Sequence, residues 1–252
     1  MRGVPRTVAL VGKISIVFAR AAGYFPAVVC RSDSRHDLFR QLYATGIRTL
    51  PVITIVSMFI GMILALQVGL ELRRFNQEIY LGAAVMVTLI REMAPFCCGL
   101  SLAACVGSAV AAEIGTMKVN DEIDALTIMG IPPIRFLVAP RVLALALMAP
   151  LLAFYCCIIG TIGGGIVGQT QLGVDFTQYS ASAMSMAGAK DLVVGLVKAL
   201  VFGLLIGGIS ATEGLEAKRG ATGVGKATQQ SVIVSFLAIL VFGYIITRLF
   251  YR

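Results

Sequence analysis

Residues 49–70 read TLPVITIVSMFIGMILALQVGL, a stretch of 22 residues without a charged side chain. About 20 consecutive apolar residues make a helix that crosses the hydrocarbon core of a bilayer. Four further stretches of similar or greater length are apolar apart from three embedded charges, and they cover residues 79–112, 142–168, 192–212 and 227–247. The sequence therefore predicts an all-α integral membrane protein, with five transmembrane helices in a single domain over residues 1–252.

The composition points to the same class of protein. Apolar residues make up 58% of the 252 residues and charged residues 13%, and the mean hydropathy is +0.90. A soluble domain carries about 25% charged residues, so too little charge is present to cover a water-facing surface of this size. The six cysteines include two adjacent pairs inside apolar stretches and lack CxxC spacing, so we expect neither a disulfide framework nor a metal site.

The net charge of +8 also has a membrane explanation. Lys and Arg concentrate in cytoplasmic loops beside anionic headgroups, and no basic run with interleaved aromatics indicates nucleic acid as a partner. A cytoplasmic N-terminus places 14 Lys and Arg residues on the cytoplasmic side and five on the other side, which predicts a C-terminus outside.

Before the first span, Lys13 and Arg20 interrupt the apolar residues of segment 5–30. We expect an interfacial helix there on the cytoplasmic leaflet, with a sixth span as the alternative.

Three charged residues lie inside predicted spans, at Arg91, Glu92 and Lys198. A charge at mid-membrane costs about 2.5–3.5 kcal/mol on insertion scales, so such residues usually face a cavity or a partner. Neighbours on a helix point about 100° apart, so Arg91 and Glu92 are expected to line a cavity and meet other helices rather than each other. The alternative for this pair is a structural ion pair at a helix interface. The alternative for Lys198 is snorkelling of its ammonium to the membrane surface.

The loop between the second and third spans predicts a short amphipathic helix. Residues 115–141 read GTMKVNDEIDALTIMGIPPIRFLVAPR, where Asn120 is the expected N-cap and carboxylates fill the first turn. Apolar residues recur at helical spacing, and Gly130 before two prolines ends the helix. A cytoplasmic acidic helix over 119–129 suits docking into a soluble partner. Packing against the chain's own spans is the alternative.

Glycines are spaced for close helix packing and, at one place, for an apparent phosphate loop. Gly164 and Gly168 form one GxxxG motif, and Gly203 and Gly207 form another; small residues at this spacing mark contact faces between membrane helices.

Residues 220–227 read GATGVGKA, but alanine stands where a phosphate loop needs Ser or Thr for magnesium, and no buried strand precedes the glycines. The sequence also lacks HExxH and GxSxG motifs, which predicts a chain without an ATPase or other enzymatic site of its own.

Several segments are similar to one family of permeases. They read LIREMAP (89–95), GSA (107–109), AEIGTM (112–117), IDAL (123–126), PIR (133–135), RQLY (40–43) and GVGKAT (223–228). On these segments, which extend over nearly the whole chain, the protein resembles the MlaE/YrbE permease family. Two positions depart from the family pattern, because Cys105 replaces a usual Arg and Gly243 replaces a frequent Asp.

The resemblance implies the permease subunit of an ABC transporter that moves phospholipids or related lipids between the inner and outer membranes of a diderm bacterium. Such permeases lie in the inner membrane as homodimers, with a cytoplasmic ABC ATPase, an MCE-domain protein and often a STAS-domain protein as partners. ATP and Mg bind the partner ATPase, and the permease chain itself binds no cofactor. The alternative function is a proton-coupled secondary transporter of an amphipathic substrate, with Glu92, Lys198 and Glu213 as a relay. A membrane enzyme acting on lipids is a weaker alternative.

The resemblance also implies roles for individual residues. Arg91, Glu92 and Lys198 correspond to residues beside the lipid cavity. Arg40 and Lys226 correspond to basic residues on the cytoplasmic side. The loop helix corresponds to the coupling helix that contacts the ATPase, and its predicted contact residues are Asn120, Asp121, Glu122, Ile123, Asp124, Leu126 and Met129.

Overall fold

The computed structural model describes residues 32–186 and 188–251, together with seven separate positions between residues 12 and 24. All regular elements within these residues are helical. The interfacial helix predicted over residues 5–30 lies largely outside the described residues and stays a prediction.

Five helical runs among the described residues are long and apolar enough to cross a membrane. They are His36–Arg74, Glu78–Val119, Ile134–Gln171, Ala189–Leu215 and Ala221–Phe250. Each predicted span lies inside one of these runs. The helices continue past the apolar stretches because many of the flanking polar residues, such as Glu, Lys, Arg and Gln, are themselves good helix formers. The expectation of an all-α membrane protein with five spans is confirmed.

The first two runs are built from shorter helical segments. The first contains most of α1 (Ser32–Gly46), a 3₁₀ turn (Ile47–Thr49) and α2 (Leu50–Arg74). The second contains α3 (Leu81–Thr88), α4 (Ala94–Leu102) and α5 (Ser108–Val119), joined by π turns at Leu89–Met93 and Ala103–Gly107. Such π turns occur frequently at functional sites, and the first of them contains Arg91 and Glu92.

The remaining helices follow in chain order. A short helix, α6 (Glu122–Ile128), and a π turn (Ile134–Val138) lead into α7 (Ala139–Gln171), after which come α8 (Phe176–Met186), α9 (Ala189–Leu215) and α10 (Ala221–Phe250).

The chain divides into two compact units. The first unit contains Met1–Arg48, Leu102–Met148 and Gly203–Val241, and the second contains Thr49–Ser101, Ala149–Phe202 and Phe242–Arg252. The three charged residues of the predicted spans therefore belong to the second unit, and α6 belongs to the first.

In the second unit, α2 packs through one narrow stripe of residues spaced four apart. Its buried residues are Ile53, Ser57, Gly61, Ala65 and Gly69. A Cβ atom on Gly61 would overlap the carbonyl oxygen of Gly160 in α7, and one on Gly163 would lie 2.5 Å from the carbonyl oxygen of Met58. The two helices therefore meet backbone to backbone. In lipid, where apolar transfer does not drive association, such close packing is what holds helices together.

Three of the four glycines of the predicted GxxxG motifs lie at close contacts within one or the other unit. A Cβ atom on Gly164 would lie 2.6 Å from the Tyr179 hydroxyl, and one on Gly168 would lie 3.3 Å from a leucine side chain of α3. In the first unit, a Cβ atom on Gly207 would lie 2.9 Å from the α7 backbone, and Gly203 is buried. These contacts support the packing interpretation of both motifs.

Candidate functional site

Two ion pairs connect the π turn at residues 89–93 to α9 in the second unit. The Arg91 Nε atom lies 2.9 Å from Asp191 Oδ1, and Arg91 Nη2 donates a hydrogen bond of 3.0 Å to Asp191 Oδ2. The Lys198 ammonium lies 2.7 Å from Glu92 Oε1. The adjacent residues Arg91 and Glu92 thus pair with a different helix and not with each other, as expected for neighbours that point about 100° apart.

Lys198 is buried at the base of this arrangement, with 1% of its side chain exposed. Its ammonium donates to Glu92 Oε1 at 2.7 Å, to the Arg91 carbonyl at 2.8 Å and to the Thr247 hydroxyl at 2.7 Å. An ammonium has three donors, so all three are satisfied and the buried charge is compensated. The ammonium points into the unit, which rules out snorkelling.

The local sequence explains why the Arg91 carbonyl is available to Lys198. In an α-helix this carbonyl would accept the amide hydrogen of the residue four positions later. That residue is Pro95, which has no amide hydrogen. Lys198 therefore supplies the donor that the proline lacks.

Tyr251, just beyond α10, adds two contacts to the ion pair between Arg91 and Asp191. Its hydroxyl donates a 2.7 Å hydrogen bond to Asp191 Oδ1, and its ring lies 4.7 Å from the Arg91 guanidinium carbon in a cation–π contact. Burial, followed by the hydrogen bond to Asp191, raises the pKa of Tyr251 to about 12.

Each ion pair exposes one member and buries the other. The side chains of Arg91 and Glu92 are 42% and 41% exposed, whereas those of Asp191 and Lys198 are 9% and 1% exposed. The second unit therefore presents one guanidinium and one carboxylate from consecutive residues, and each is held by a buried counter-ion. We name these four residues the charge cluster.

Sequence reasoning identified Arg91, Glu92 and Lys198 but missed Asp191, Thr247 and Tyr251. Asp191 stands immediately before an apolar stretch, where a charge is ordinary and gives no signal. Thr247 and Tyr251 lie near the end of the last span, and only the packing of α10 brings them to residues that are 155 and 160 positions earlier in the chain.

The predicted loop helix is present in the first unit as α6, over Glu122–Ile128. The prediction of Asn120 as its N-cap is wrong by one residue, because Asn120 ends α5 and its amide donates to the Thr116 carbonyl. Asp121 occupies the N-cap position with a φ of +58°. This left-handed residue turns the chain sharply, so α6 begins later than predicted.

One face of α6 packs against the first unit and the other face is exposed. Ile123 is buried and Leu126 is half-buried, so part of the apolar stripe packs against the first unit itself. Asp121, Glu122 and Asp124 are exposed, and Asp124 pairs with Lys118 at 3.0 Å. Ile128, which sequence reasoning did not single out, is 88% exposed beside the exposed Met129. An open surface with acidic and apolar side chains therefore faces away from the unit.

The helices on either side of α6 are joined by another ion pair. Arg141 Nη2 lies 3.0 Å from Glu113 Oε2, and Arg141 Nη1 donates a 2.8 Å hydrogen bond to the Leu137 carbonyl in the third π turn. The pair closes the segment that carries α6 into a loop with a fixed base.

The two predicted basic residues also belong to the first unit. Arg40 in α1 and Lys226 in α10 are exposed, and Lys226 lines a polar cavity of about 340 Å³ together with Glu216 and Lys218.

Comparison with known proteins shows the family to which the chain belongs. A family model described as Permease MlaE matches residues 38–249. This chain belongs to the MlaE permease family. The resemblance seen in the sequence is thereby confirmed, and the five spans are those of an ABC transporter permease of this family, a multi-pass membrane protein.

Relatives of this MlaE-family permease match it over most of their length. It is 38% identical to a probable ABC transporter permease protein of Rickettsia prowazekii, over 96% of this chain and 97% of that protein. It is 33% identical to a probable ABC transporter permease protein of Synechocystis, over 87% of this chain and 83% of that protein. It is 31% identical to the intermembrane phospholipid transport system permease protein MlaE of Haemophilus influenzae, over 97% of both chains.

Proposed function

We propose that this permease moves phospholipids or related lipids between the inner and outer membranes of a diderm bacterium, driven by ATP hydrolysis on a partner ATPase. The observation that carries the proposal is the charge cluster, in which Arg91 and Glu92 remain half-exposed within a membrane-spanning run. Ionisable groups kept in such positions mark substrate pathways. The Haemophilus influenzae relative, named as an intermembrane phospholipid transport permease, supports a lipid as the substrate.

In this proposal Arg91 and Glu92 contact the lipid headgroup, and Lys198 acts through Glu92. The charge cluster contains two acidic and two basic side chains that neutralise each other, which leaves no unpaired buried carboxylate in it to carry a proton. This arrangement favours lipid binding over the proton relay of the alternative.

The open surface of α6 is proposed as the docking site for the ATPase. Exposed acidic residues give this surface a charge that a basic groove would complement, and Ile128 and Met129 provide the exposed apolar contact that protein interfaces bury. In this proposal the partner ATPase binds ATP and Mg. The permease lies in the inner membrane, and its N-terminus is on the cytoplasmic side.

A homodimer is the proposed assembly, with an MCE-domain protein outside and a STAS-domain protein as a further partner. Two spans support the dimer, because the most apolar windows of His36–Arg74 and Ala221–Phe250 are only 28% and 22% buried, against 50–56% in the other three runs. These open faces are available to lipid tails and to a second copy.

The test is lipid movement between vesicles that contain the permease with its ATPase and a fluorescent phospholipid. We expect movement that requires ATP and persists with an uncoupler. Ile128→Glu places a charge in the α6 surface without touching a buried residue, and we expect at least ~10-fold weaker ATPase binding, about 1.4 kcal/mol. Phe75→Glu is the control, because Phe75 is an exposed apolar residue of the second unit. Movement that continues without ATP and stops with the uncoupler would establish the proton-coupled alternative.

A further inference from the structure

We propose that the charge cluster selects a zwitterionic headgroup, one that carries a phosphate and a primary ammonium, over an anionic headgroup that lacks the ammonium. This inference rests on the proposed function and names the lipid class that the same site prefers.

The first argument is charge. The cluster contains Arg91, Lys198, Glu92 and Asp191, so its two positive and two negative charges cancel. An anionic headgroup at Arg91 therefore meets the exposed Glu92 carboxylate on the next residue, and like charges disfavour binding. A zwitterion places its phosphate on Arg91 and its ammonium on Glu92, so both interactions are attractive.

The second argument is the hydrogen-bonding capacity that the ion pairs leave to a ligand. Asp191 engages the Nε and Nη2 atoms of Arg91, so the Nη1 edge of the guanidinium lies outside that pair. Lys198 and Thr247 both engage Oε1 of Glu92, so Oε2 lies outside those bonds. A guanidinium edge suits a phosphate oxygen, and a carboxylate oxygen accepts from a primary ammonium.

The third argument is spacing and rigidity. Arg91 and Glu92 are consecutive residues of the π turn at Leu89–Met93, so a zwitterion that bridges their exposed groups contacts one short segment of the chain. An ethanolamine group places its ammonium two carbons from the phosphate ester oxygen, and in this proposal the headgroup spans the guanidinium and the carboxylate. Asp191 and Tyr251 hold the guanidinium, and Lys198 and Thr247 hold the carboxylate, so little side-chain entropy is lost when a ligand binds.

The experiment is a competition for the purified full-length chain in detergent. The protein is incubated with an equimolar mixture of phosphatidylethanolamine and phosphatidylglycerol with identical acyl chains, and the retained lipids are counted by native mass spectrometry. We expect the retained ratio to favour phosphatidylethanolamine at least fivefold. The ratio is insensitive to how much of the protein is folded, since both lipids compete for the same molecules.

The decisive variant is Glu92→Gln combined with Lys198→Met, which removes the exposed carboxylate and its buried counter-ion together. We expect its ratio to fall to about one because Arg91 still binds the phosphate of both lipids. The matched control is Glu71→Gln combined with Arg74→Met, which removes an exposed ion pair of the same unit and is expected to keep the wild-type ratio.

The outcomes separate this inference from the proposed function. A wild-type protein that retains both lipids in a ratio near one, or a double variant that keeps the preference, overturns the headgroup selection while phospholipid binding stands. A wild-type protein that retains neither lipid overturns phospholipid as the substrate, and the inference falls with it.

Discussion

The ion pairs of the two units differ in what they bury. In the second unit, the Lys198 cation lies under Glu92 and the Asp191 carboxylate lies under Arg91, so one charge of each sign is exposed. In the first unit, Arg141 is 9% exposed and its partner Glu113 is 56% exposed, so only a carboxylate is presented. One unit thus shows a pair of opposite charges suited to a zwitterion, whereas the other fixes the base of a loop.

The comparison also ranks the pairs by energy. Removing one partner of an ion pair is costly when the charge left behind is buried, and cheap when water can reach it. The cost should therefore follow the exposure of the residue that remains. Changing each carboxylate to its amide tests this ranking, because size is preserved and only charge is lost.

The largest effect is expected for Glu92→Gln. It leaves the fully buried Lys198 ammonium without a carboxylate, and we expect the free energy of unfolding to fall by about 3 kcal/mol. Thermal unfolding of the purified chain in detergent measures the loss. Adding Lys198→Met should restore most of it, because removing both charges leaves no buried ion; a double variant less stable than the single one would contradict this account.

An intermediate effect is expected for Glu113→Gln. Arg141 is 9% exposed, against 1% for Lys198, and it keeps its hydrogen bond to the Leu137 carbonyl, so the expected loss is about 2 kcal/mol. The same unfolding measurement applies, with Glu71→Gln as an exposed-pair control that should change stability by less than about 0.5 kcal/mol. A loss as small as that of the control would show that the α6 loop does not depend on this pair.

The smallest effect of the three is expected for Asp191→Asn. Arg91 is 42% exposed and keeps its cation–π contact with the Tyr251 ring, so less of its charge is left uncompensated than for Lys198, and we expect a loss of about 1 kcal/mol. If this variant were less stable than Glu92→Gln, burial of the remaining partner would not be what determines the cost.

Most of the fold could be predicted from the sequence, because long apolar stretches identify membrane-spanning helices. The charges at Arg91 and Glu92 were equally visible, since they interrupt an apolar run. Their pairing with residues of α9 could not be predicted. Asp191 sits at a helix end like any interfacial charge, and Lys198 has the same sequence signature whether it snorkels or is buried; only helix packing decides.

The prediction of where α6 begins was wrong for a local reason. Asn120 and Asp121 are both good N-cap residues, and the chain places the sharp turn at Asp121. The exposed Ile128 escaped notice because an apolar residue in an amphipathic segment is normally assigned to the buried side. The directions of side chains on a short helix depend on how the flanking helices orient that helix. Residue composition does not give this orientation.

The contact between Tyr251 and Arg91 has a consequence for the order in which the protein is made. Arg91 and Glu92 leave the ribosome about 100 residues before Asp191 and Lys198, and 160 residues separate Arg91 from Tyr251. The second span therefore enters the membrane with both charges uncompensated, at a cost of about 2.5–3.5 kcal/mol each that its long apolar stretches must offset alone. The charge cluster can form once α9 is in place, and its contacts with Thr247 and Tyr251 are added only when the final span has been made.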